Sequence, residues 1–193
     1  MKKPTLSIGL PVYNGERYLS KTLDSLLGQD FEDFELVISD NGSSDQTEAI
    51  CRDFAQRDHR IRYLRSDENR GATWNFRRVF EMSEGEFFKY AAYDDECYPT
   101  MVRRCMEVFQ SDDPTVALVY TLSEKIDENS NVIIQRSGFN WDRVATAAKT
   151  PRPPCPHYLA GAARPCALRR DSRFVSPARQ GLWQHYWGLD AIG

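Results

Sequence analysis

Three consecutive acids, Asp94, Asp95 and Glu96, follow an apolar stretch that runs from Glu86 to Ala92. Carboxylates this close together repel one another, and a bound cation relieves that repulsion. Their hard oxygen atoms suit Mg²⁺ or Mn²⁺, which commonly take one or two protein carboxylates and complete their coordination with substrate phosphates. The residue types alone leave two interpretations open, a metal site and an acidic, solvated loop.

Polar residues also follow the three preceding apolar runs of the chain. Tyr13 follows the first run, Asp40 ends the second, and Asn69 comes after the third. A carboxylate at position 40 can accept an N–H from the edge of a nucleobase, or it can accept backbone N–H bonds within its own turn. Tyr13 can offer a flat face to such a base, or it can pack half-buried. Together with the acids, these residues indicate a binding site, whereas each alone is a weak signal.

Between these polar points the chain alternates strand-like and helix-like segments. We predict five strands, at residues 6–10, 34–39, 61–64, 86–92 and 116–122. We predict helices from about residue 16, from a cap at Asp45, over residues 72–82 and over residues 99–109, and a hairpin over residues 124–135. This alternation predicts an α/β fold with a parallel sheet. In such a sheet ligands bind at the carboxyl ends of the strands, where the polar residues lie.

Composition and motif content argue against several classes of protein. The 193 residues carry a formal net charge of −3, which argues against a nucleic-acid partner. Neither GxGxxG nor GxxxxGK[ST] occurs, which argues against a dinucleotide dehydrogenase and a P-loop NTPase. We find no signal peptide and no apolar run of membrane-spanning length, so we expect a soluble, cytoplasmic protein. Its five cysteines include no CxxC pair, and we expect them to be reduced.

The charge changes sign along the chain. Residues 1–145 hold 18 Lys and Arg against 26 Asp and Glu, whereas residues 146–193 hold 7 against 2, together with six of the ten prolines. Hydrophobic periodicity also ends near residue 145. We therefore divide the chain into a patterned domain, residues 1–145, and an irregular Pro- and Arg-rich segment, residues 146–193.

Four motifs occur in order: PVYNGERYL at 11–19, FELVISDNGSSD at 34–45, ENRG at 68–71, and GEFFKY at 85–90 followed by Asp94-Asp95. This series closely resembles family 2 glycosyltransferases, which are inverting enzymes of the GT-A fold, and the resemblance covers roughly residues 4–136. It implies a Rossmann-like, mostly parallel open sheet with flanking helices. It also implies a nucleotide-diphospho-sugar donor, often linked to UDP or dTDP.

The resemblance assigns roles to individual residues. Tyr13 would pack against the base, Asp40 would bond a ring N–H of that base, and Asp95 together with Asp94 would hold Mg²⁺ or Mn²⁺ on the diphosphate. This sequence reads Tyr-Asp-Asp where the family has Asp-x-Asp, and we assign Asp95 as the direct ligand. The implied donor-binding residues are Pro11, Tyr13, Asn14, Glu16, Asp40, Asn69, Gly71 and Asp94.

The implied reaction is a single displacement at the anomeric carbon, in which a carboxylate takes the proton from the acceptor hydroxyl. In the family this base is an Asp or Glu well beyond the metal-binding acids. The only acids of residues 146–193 are Asp171 and Asp190, neither in a family context, so the base is unidentified and Asp171 is the candidate. We hypothesise that residues 146–193 are not the family's native continuation, through truncation or a shifted frame; a divergent acceptor lobe is the alternative.

We therefore predict a glycosyltransferase that moves a sugar to a saccharide, lipid-linked or protein acceptor, as in cell-envelope polysaccharide biosynthesis. Peripheral contact with the inner membrane is left open. The first alternative is a catalytically inactive nucleotide-sugar-binding module that lacks its general base. The second is a nucleotidyltransferase with a related sheet, although no basic Gly-rich phosphate loop follows the first strand.

Overall fold

The computed structural model describes residues 3–111, 116–121 and 123–137, together with the backbone of residues 145–146 and 165–169. The strands are β1 (Leu6–Val12), β2 (Phe34–Asp40), β3 (Ile61–Arg65), β4 (Phe87–Tyr90), β5 (Val116–Tyr120), β6 (Ser123–Ile126), β7 (Val132–Ser137), β8 (Ala145–Thr146) and β9 (Pro165–Arg169). The helices are α1 (Leu19–Leu27), α2 (Thr47–Arg57), α3 (Ala72–Met82) and α4 (Met101–Phe109). Among these described helices, none is both long enough and apolar enough to cross a membrane.

Seven strands form one sheet in the order β3-β2-β1-β4-β9-β5-β8. The first four strands run parallel, and β1 pairs with β2 from Leu6–Phe34 to Val12–Asp40. β9 lies antiparallel between β4 and β5, and β8 pairs antiparallel with β5. β6 and β7 form a separate antiparallel hairpin. The mostly parallel open sheet with flanking helices is confirmed, and so is the hairpin near residues 124–135.

Both faces of the sheet are covered, which explains why all seven residues of β1 are buried. Leu6, Ile8 and Leu10 face the larger core, which also contains the apolar faces of α1, α2 and α4. The opposite face packs against α3 through Val79, and a Cβ on Gly9 would lie only 2.9 Å from that side chain. A fully buried leucine contributes about 1.5–3 kcal/mol, so these two layers hold the sheet together.

β1 is two residues longer than the sequence predicts. We expected Pro11 to end the strand because proline has no backbone N–H. Instead Pro11 pairs with Ser39 of β2, and β4 has already ended opposite Gly9, so the proline needs a ladder partner on one side only. β1 therefore extends to Val12, and the loop that carries Tyr13 starts at the edge of the sheet.

Two other predicted boundaries move because turns precede the helices. α1 begins at Leu19 because residues 16–18 form a turn, closed by the Leu19 N–H and the Gly15 carbonyl at 3.1 Å. α4 begins at Met101, after a turn at Pro99. By contrast, α3 spans residues 72–82 as predicted.

The segment that we expected to be irregular contributes at least one strand to the main sheet. Pro165–Arg169 forms β9, which pairs with both β4 and β5. Its five residues carry no alternation of polar and apolar side chains, so sequence periodicity misses it. The division of the chain at residue 145 stays a prediction, and Asp171 and Asp190 lie outside the described residues.

The cysteines are not all reduced. Cys51 and Cys97 are free thiols, as expected. Cys105 is disulfide-bonded, and for this residue the expectation is wrong. Burial, with a smaller contribution from the nearby Asp40 carboxylate, raises the pKa of Cys51 to about 12. Its thiol therefore stays protonated and packs as a small apolar group.

Two glycines at the carboxyl ends of the strands adopt left-handed backbone conformations, Gly42 with φ 75° and Gly71 with φ 85°. A Cβ on Gly42 would lie 2.7 Å from the carbonyl carbon of Glu68, whereas nothing lies within 4 Å of a Cβ on Gly71. The loop after β3 thus crosses directly over Gly42, and only glycine fits there.

These two glycines make a matched pair of substitutions. We expect Gly71→Ala to lower the free energy of unfolding by about 1–3 kcal/mol, the cost of holding a residue with a Cβ at φ 85° and ψ 158°, a backbone region that glycine adopts readily and other residues do not. Gly42→Ala should cost clearly more, because the Glu68 backbone must also move. Urea denaturation of both variants measures the difference, and equal losses would contradict the close packing of the two loops.

Candidate functional site

The loops after β1 and β2 are joined by reciprocal hydrogen bonds at the carboxyl edge of the sheet. The Asn14 N–H donates to Ser43 Oγ at 2.9 Å, and the Ser44 N–H donates back to Asn14 Oδ1 at 2.9 Å. Asn14 has φ 49°, a left-handed conformation that asparagine tolerates better than most residues. The side chain of Asn14, a predicted donor-binding residue, is therefore engaged in holding the second loop.

A second set of bonds repeats this arrangement one step further along both loops. The Gln46 N–H donates to Glu16 Oε2 at 2.9 Å, and the Glu16 N–H donates to Asp45 Oδ2 at 3.1 Å. The Gly15 N–H donates to Thr47 Oγ1 at 2.8 Å. The helix cap of α2 is Gln46, not Asp45, but the Asp45 carboxylate still accepts the Thr47 N–H at 3.0 Å. Glu16 thus also serves the contact between the loops.

Asp40 is fully buried at the end of β2, with 0% of its surface exposed. One carboxylate oxygen accepts the Ser43 N–H at 2.9 Å, and the other accepts the Tyr63 hydroxyl at 2.9 Å. The Arg65 Nε lies 3.4 Å from that second oxygen. Of the two interpretations of Asp40, the structure shows the bond within its own turn. The bond to a nucleobase that the resemblance implies for Asp40 stays a prediction.

A hydrogen-bond donor, Tyr63, and a cationic side chain, Arg65, lie against the Asp40 carboxylate. Burial and the hydrogen bond to Asp40 raise the pKa of Tyr63 well above its ordinary value, so its hydroxyl remains a donor. The Arg65 guanidinium also lies 3.0 Å from Glu48 and donates to the Ser43 carbonyl at 2.9 Å. A buried carboxylate needs partners of this kind, and here they fix the shape of the turn.

Asn41 links this turn to the loop before α3. Its Nδ2 donates to Asn69 Oδ1 at 2.8 Å and to the Gly71 carbonyl at 3.2 Å. Its Oδ1 accepts the Arg70 N–H at 3.0 Å. Two further predicted site residues, Asn69 and Gly71, are thereby brought to the end of β2. Their described bonds position the loop, and Gly71 begins α3 as its N-cap.

Tyr13 and Pro11 differ in what they offer to a ligand. Tyr13 is 42% exposed, so part of its ring is open to solvent at the end of β1. Pro11 is buried within β1 and offers little surface to a ligand. Of the predicted residues on the first loop, Tyr13 is therefore the one suited to stack on a flat ligand.

Asp94, Asp95 and Glu96 are all exposed after β4. Their loop is anchored by Thr22, whose hydroxyl donates to the Tyr93 carbonyl at 2.8 Å. Within the described residues, no group of three or more His, Cys, Asp or Glu side chains could hold a metal ion. The acids therefore do not form a complete metal cage, and exogenous oxygen atoms would have to complete the coordination of an ion here.

A cleft of about 190 Å³ lies beside these acids, between α1 and the β6–β7 hairpin. Lys21 of α1 donates to the Glu128 carbonyl at 3.0 Å and to Ser130 Oγ at 3.2 Å, and Ser130 in turn donates to Glu96 Oε1 at 2.5 Å. The hairpin is thus tied to both sides of the cleft. The residues that line it are Tyr18, Lys21, Thr22, Asp94, Glu96, Ile126, Asp127 and Glu128.

Sequence reasoning missed several residues that organise this edge: Asn41, Ser43, Thr47, Tyr63, Arg65 and Asn75. The run of turn formers at 41–47 gave a signal for the first three, because such residues commonly bond backbone groups. Asn75 also left a signal. An asparagine on the buried side of a helix, one turn before Val79, opposes helix propensity and points to a specific hydrogen-bonding role.

The Asp45 carboxylate gives the loop contact a dependence on pH. Partial burial alone would raise the pKa of Asp45, but hydrogen bonds from Thr47 and from the Glu16 N–H outweigh it and hold the pKa below its ordinary value of 3.8. A carboxyl group with a lowered folded-state pKa stabilises the protein above its unfolded-state pKa. That stabilisation is lost as the pH falls through the folded-state pKa.

We expect Asp45→Asn to lower the free energy of unfolding by about 1 kcal/mol at pH 7, because an amide can accept only one of the two N–H groups. The gap between this variant and the unsubstituted protein should narrow as the pH falls from 5 to 3. Urea denaturation across this range measures it. Asp53→Asn, which removes an exposed partner of Arg57 on α2, is the control and should show only a small effect. A gap for Asp45→Asn that does not depend on pH would contradict the assignment.

Comparison with known proteins places this geometry in a family. The chondroitin synthase of Escherichia coli is 30% identical over 161 residues, which is 83% of this chain and 23% of that protein. S. aureus TarS in complex with UDP has a TM-score of 0.57 at 22% identity, over 77% of this chain and 38% of that one. The mannosyltransferase PcManGT from Pyrobaculum calidifontis, in complex with GDP-Man and Mn²⁺, has a TM-score of 0.54 at 22% identity, over 65% and 37%.

These structural similarities confirm the expected GT-A fold. The chain spans less than half the length of each of these three proteins. The family model described as Glycosyl transferase family 2 matches residues 7–172, which extends past the boundary at residue 145. The match covers most of the chain and includes the four motifs, all of the implied donor-binding residues and both metal-binding candidates. The chain therefore belongs to glycosyl transferase family 2.

Proposed function

We propose that the carboxyl edge between β1 and β4 binds a nucleotide-diphospho-sugar and that the protein transfers the sugar to an acceptor hydroxyl with inversion. One observation carries this proposal. The strand order β3-β2-β1-β4 reverses between β1 and β4, and ligands of open α/β sheets bind at such a reversal. Tyr13 follows the first of these two strands, and Asp94 and Asp95 follow the second.

The exposed residues contact different parts of the donor. The ring of Tyr13 stacks on the base, and Asp94 and Asp95 face the diphosphate. Family membership supports this arrangement, and the neighbours crystallised with UDP and with GDP-Man and Mn²⁺ are consistent with it. We favour a UDP- or dTDP-linked donor.

The acids suit a divalent cation. Asp94 and Asp95 offer adjacent, exposed carboxylates, and Mg²⁺ or Mn²⁺ is commonly bound by one or two carboxylates with phosphate oxygens completing the coordination. Asp95 is our choice for the direct ligand, with Asp94 beside it. When bound, the ion would stabilise the negative charge that develops on the leaving diphosphate.

The other predicted donor-binding residues act on the donor through the loops. Asn14 and Glu16 join the first two loops, Asp40 shapes the turn after β2, and Asn69 with Gly71 holds the loop before α3. Preorganised loops of this kind reduce the entropy that is lost on binding. In this proposal Tyr13, Asp94 and Asp95 contact the donor, and the bonds among the first three loops keep the Tyr13 loop in place.

Calorimetric titration with UDP, with and without Mn²⁺, tests the donor site. We expect Asp95→Ala to weaken UDP binding at least tenfold in the presence of Mn²⁺, which corresponds to about 1.4 kcal/mol, and to have little effect without the ion. Glu81→Ala removes an exposed carboxylate that pairs with Arg77 on α3, and it should bind UDP like the unsubstituted protein. Unchanged affinity in Asp95→Ala would refute the ligand assignment.

The general base is the second part of the proposal. We propose Asp171 for this role, since it is one of the two acids of the chain's last quarter. Loss of a general base typically slows a reaction about 10²–10⁴-fold, so Asp171→Asn should lose sugar transfer or donor hydrolysis to that extent and still bind UDP. Asp190→Asn is the control. If the unsubstituted protein binds UDP but neither transfers the sugar from a UDP-sugar nor hydrolyses that donor, the protein is the inactive binding module.

A further inference from the structure

We infer that Asn75 is a positioning residue, which sets the placement of the Tyr13 loop relative to the turn that follows Asp40. This inference rests on the proposed function, because it assigns Asn75 to the same binding edge. Asn75 lies near the start of α3 and is buried, with 3% of its surface exposed. It was not among the residues that sequence reasoning selected for the site.

The carboxamide of Asn75 bridges the ends of two strands. Its Nδ2 donates to the Val12 carbonyl at 3.3 Å and to the Ser39 carbonyl at 2.9 Å. Val12 is the last residue of β1, and Ser39 is the residue before Asp40 in β2. One side-chain nitrogen thus holds together the two points from which the first two loops depart.

Packing alone does not explain an asparagine at position 75. Its Oδ1 is buried and has no hydrogen-bond partner among the described residues. A buried acceptor that lacks a partner is unfavourable, and asparagine is also a weak helix former. Its neighbour one turn along, Val79, shows that this face of α3 accepts apolar side chains. The two N–H donors are therefore the feature of Asn75 that an apolar residue could not replace.

The bridge extends to the third loop through Asn41. The Val12 carbonyl accepts the Asn41 N–H at 2.9 Å as well as the Asn75 carboxamide. The Asn41 side chain in turn bonds Asn69 and the Gly71 carbonyl, next to the start of α3. The ends of β1 and β2 and the loop before α3 are consequently joined in one hydrogen-bonded unit. Removal of the Asn75 donors would let the Tyr13 loop shift relative to the Asp40 turn.

Two variants with a matched control separate positioning from stability. Asn75→Leu keeps the branched arrangement of side-chain heavy atoms, with bulkier methyl groups, and removes both donors together with the unpartnered acceptor. Asn75→Ala removes the carboxamide without adding volume or charge, and it serves if the leucine variant does not fold. Val79→Ala opens a cavity in the same helix without touching either strand end. Each full-length variant is titrated with UDP by calorimetry, unfolded in urea, and compared by hydrogen exchange of the Asn14, Gly15 and Ser44 amides without ligand.

We expect the Asn75 variants to bind UDP at least tenfold more weakly and to exchange these loop amides at least tenfold faster than the unsubstituted protein. Val79→Ala should lower the urea midpoint and leave the UDP affinity of the folded protein unchanged. Asn75 variants that resemble Val79→Ala in both affinity and exchange would overturn the inference. If the unsubstituted protein does not bind UDP, the proposed donor site fails, and the exchange measurement still decides whether Asn75 positions the loops.

Discussion

The burial of β1 is the constraint on which the carboxyl edge depends. Its seven residues are buried, with β2 paired along the whole strand and β4 paired as far as Gly9, so the backbone groups at its end are poorly placed to reach water. Buried backbone carbonyls need partners. The Val12 carbonyl finds two, the Asn41 N–H and the Asn75 carboxamide, and both come from elements that are distant in sequence. Closing the end of one strand thereby brings three loops together.

Polar residues at a strand end can serve two purposes, and the structure distinguishes them by burial. Asp40 has no exposed surface, and its carboxylate bonds within the protein. Tyr13, Asp94 and Asp95 remain exposed. The buried carboxylate of Asp40 holds the turn after β2 together, whereas the three exposed side chains leave surface for a ligand. Under the proposed function this division favours binding, since loops already held in place lose less entropy when a ligand binds.

Much of the fold was predictable because its signals are local. The spacing of apolar residues placed α3 over 72–82 without error, and the apolar runs located β2 and β3 to within one residue at their ends. Two of the errors occur where a distant partner decides. Pro11 stays in β1 because β4 has ended beside it, and Pro165–Arg169 becomes a strand because β4 and β5 flank it. Neither fact can be read from residue spacing.

By itself, the sequence determined the alternation of strands and helices, the strand ends at which the polar residues lie, and the family to which its motifs belong. These depend on period, residue type and order, which are properties of the chain. Only the tertiary structure decided that Asp40 faces inward while Tyr13 faces outward, and that Asn75 joins the ends of β1 and β2. Exposure and hydrogen-bond partners depend on which elements pack together in space, and residues that are 36 and 63 positions apart carry no local signal of that contact.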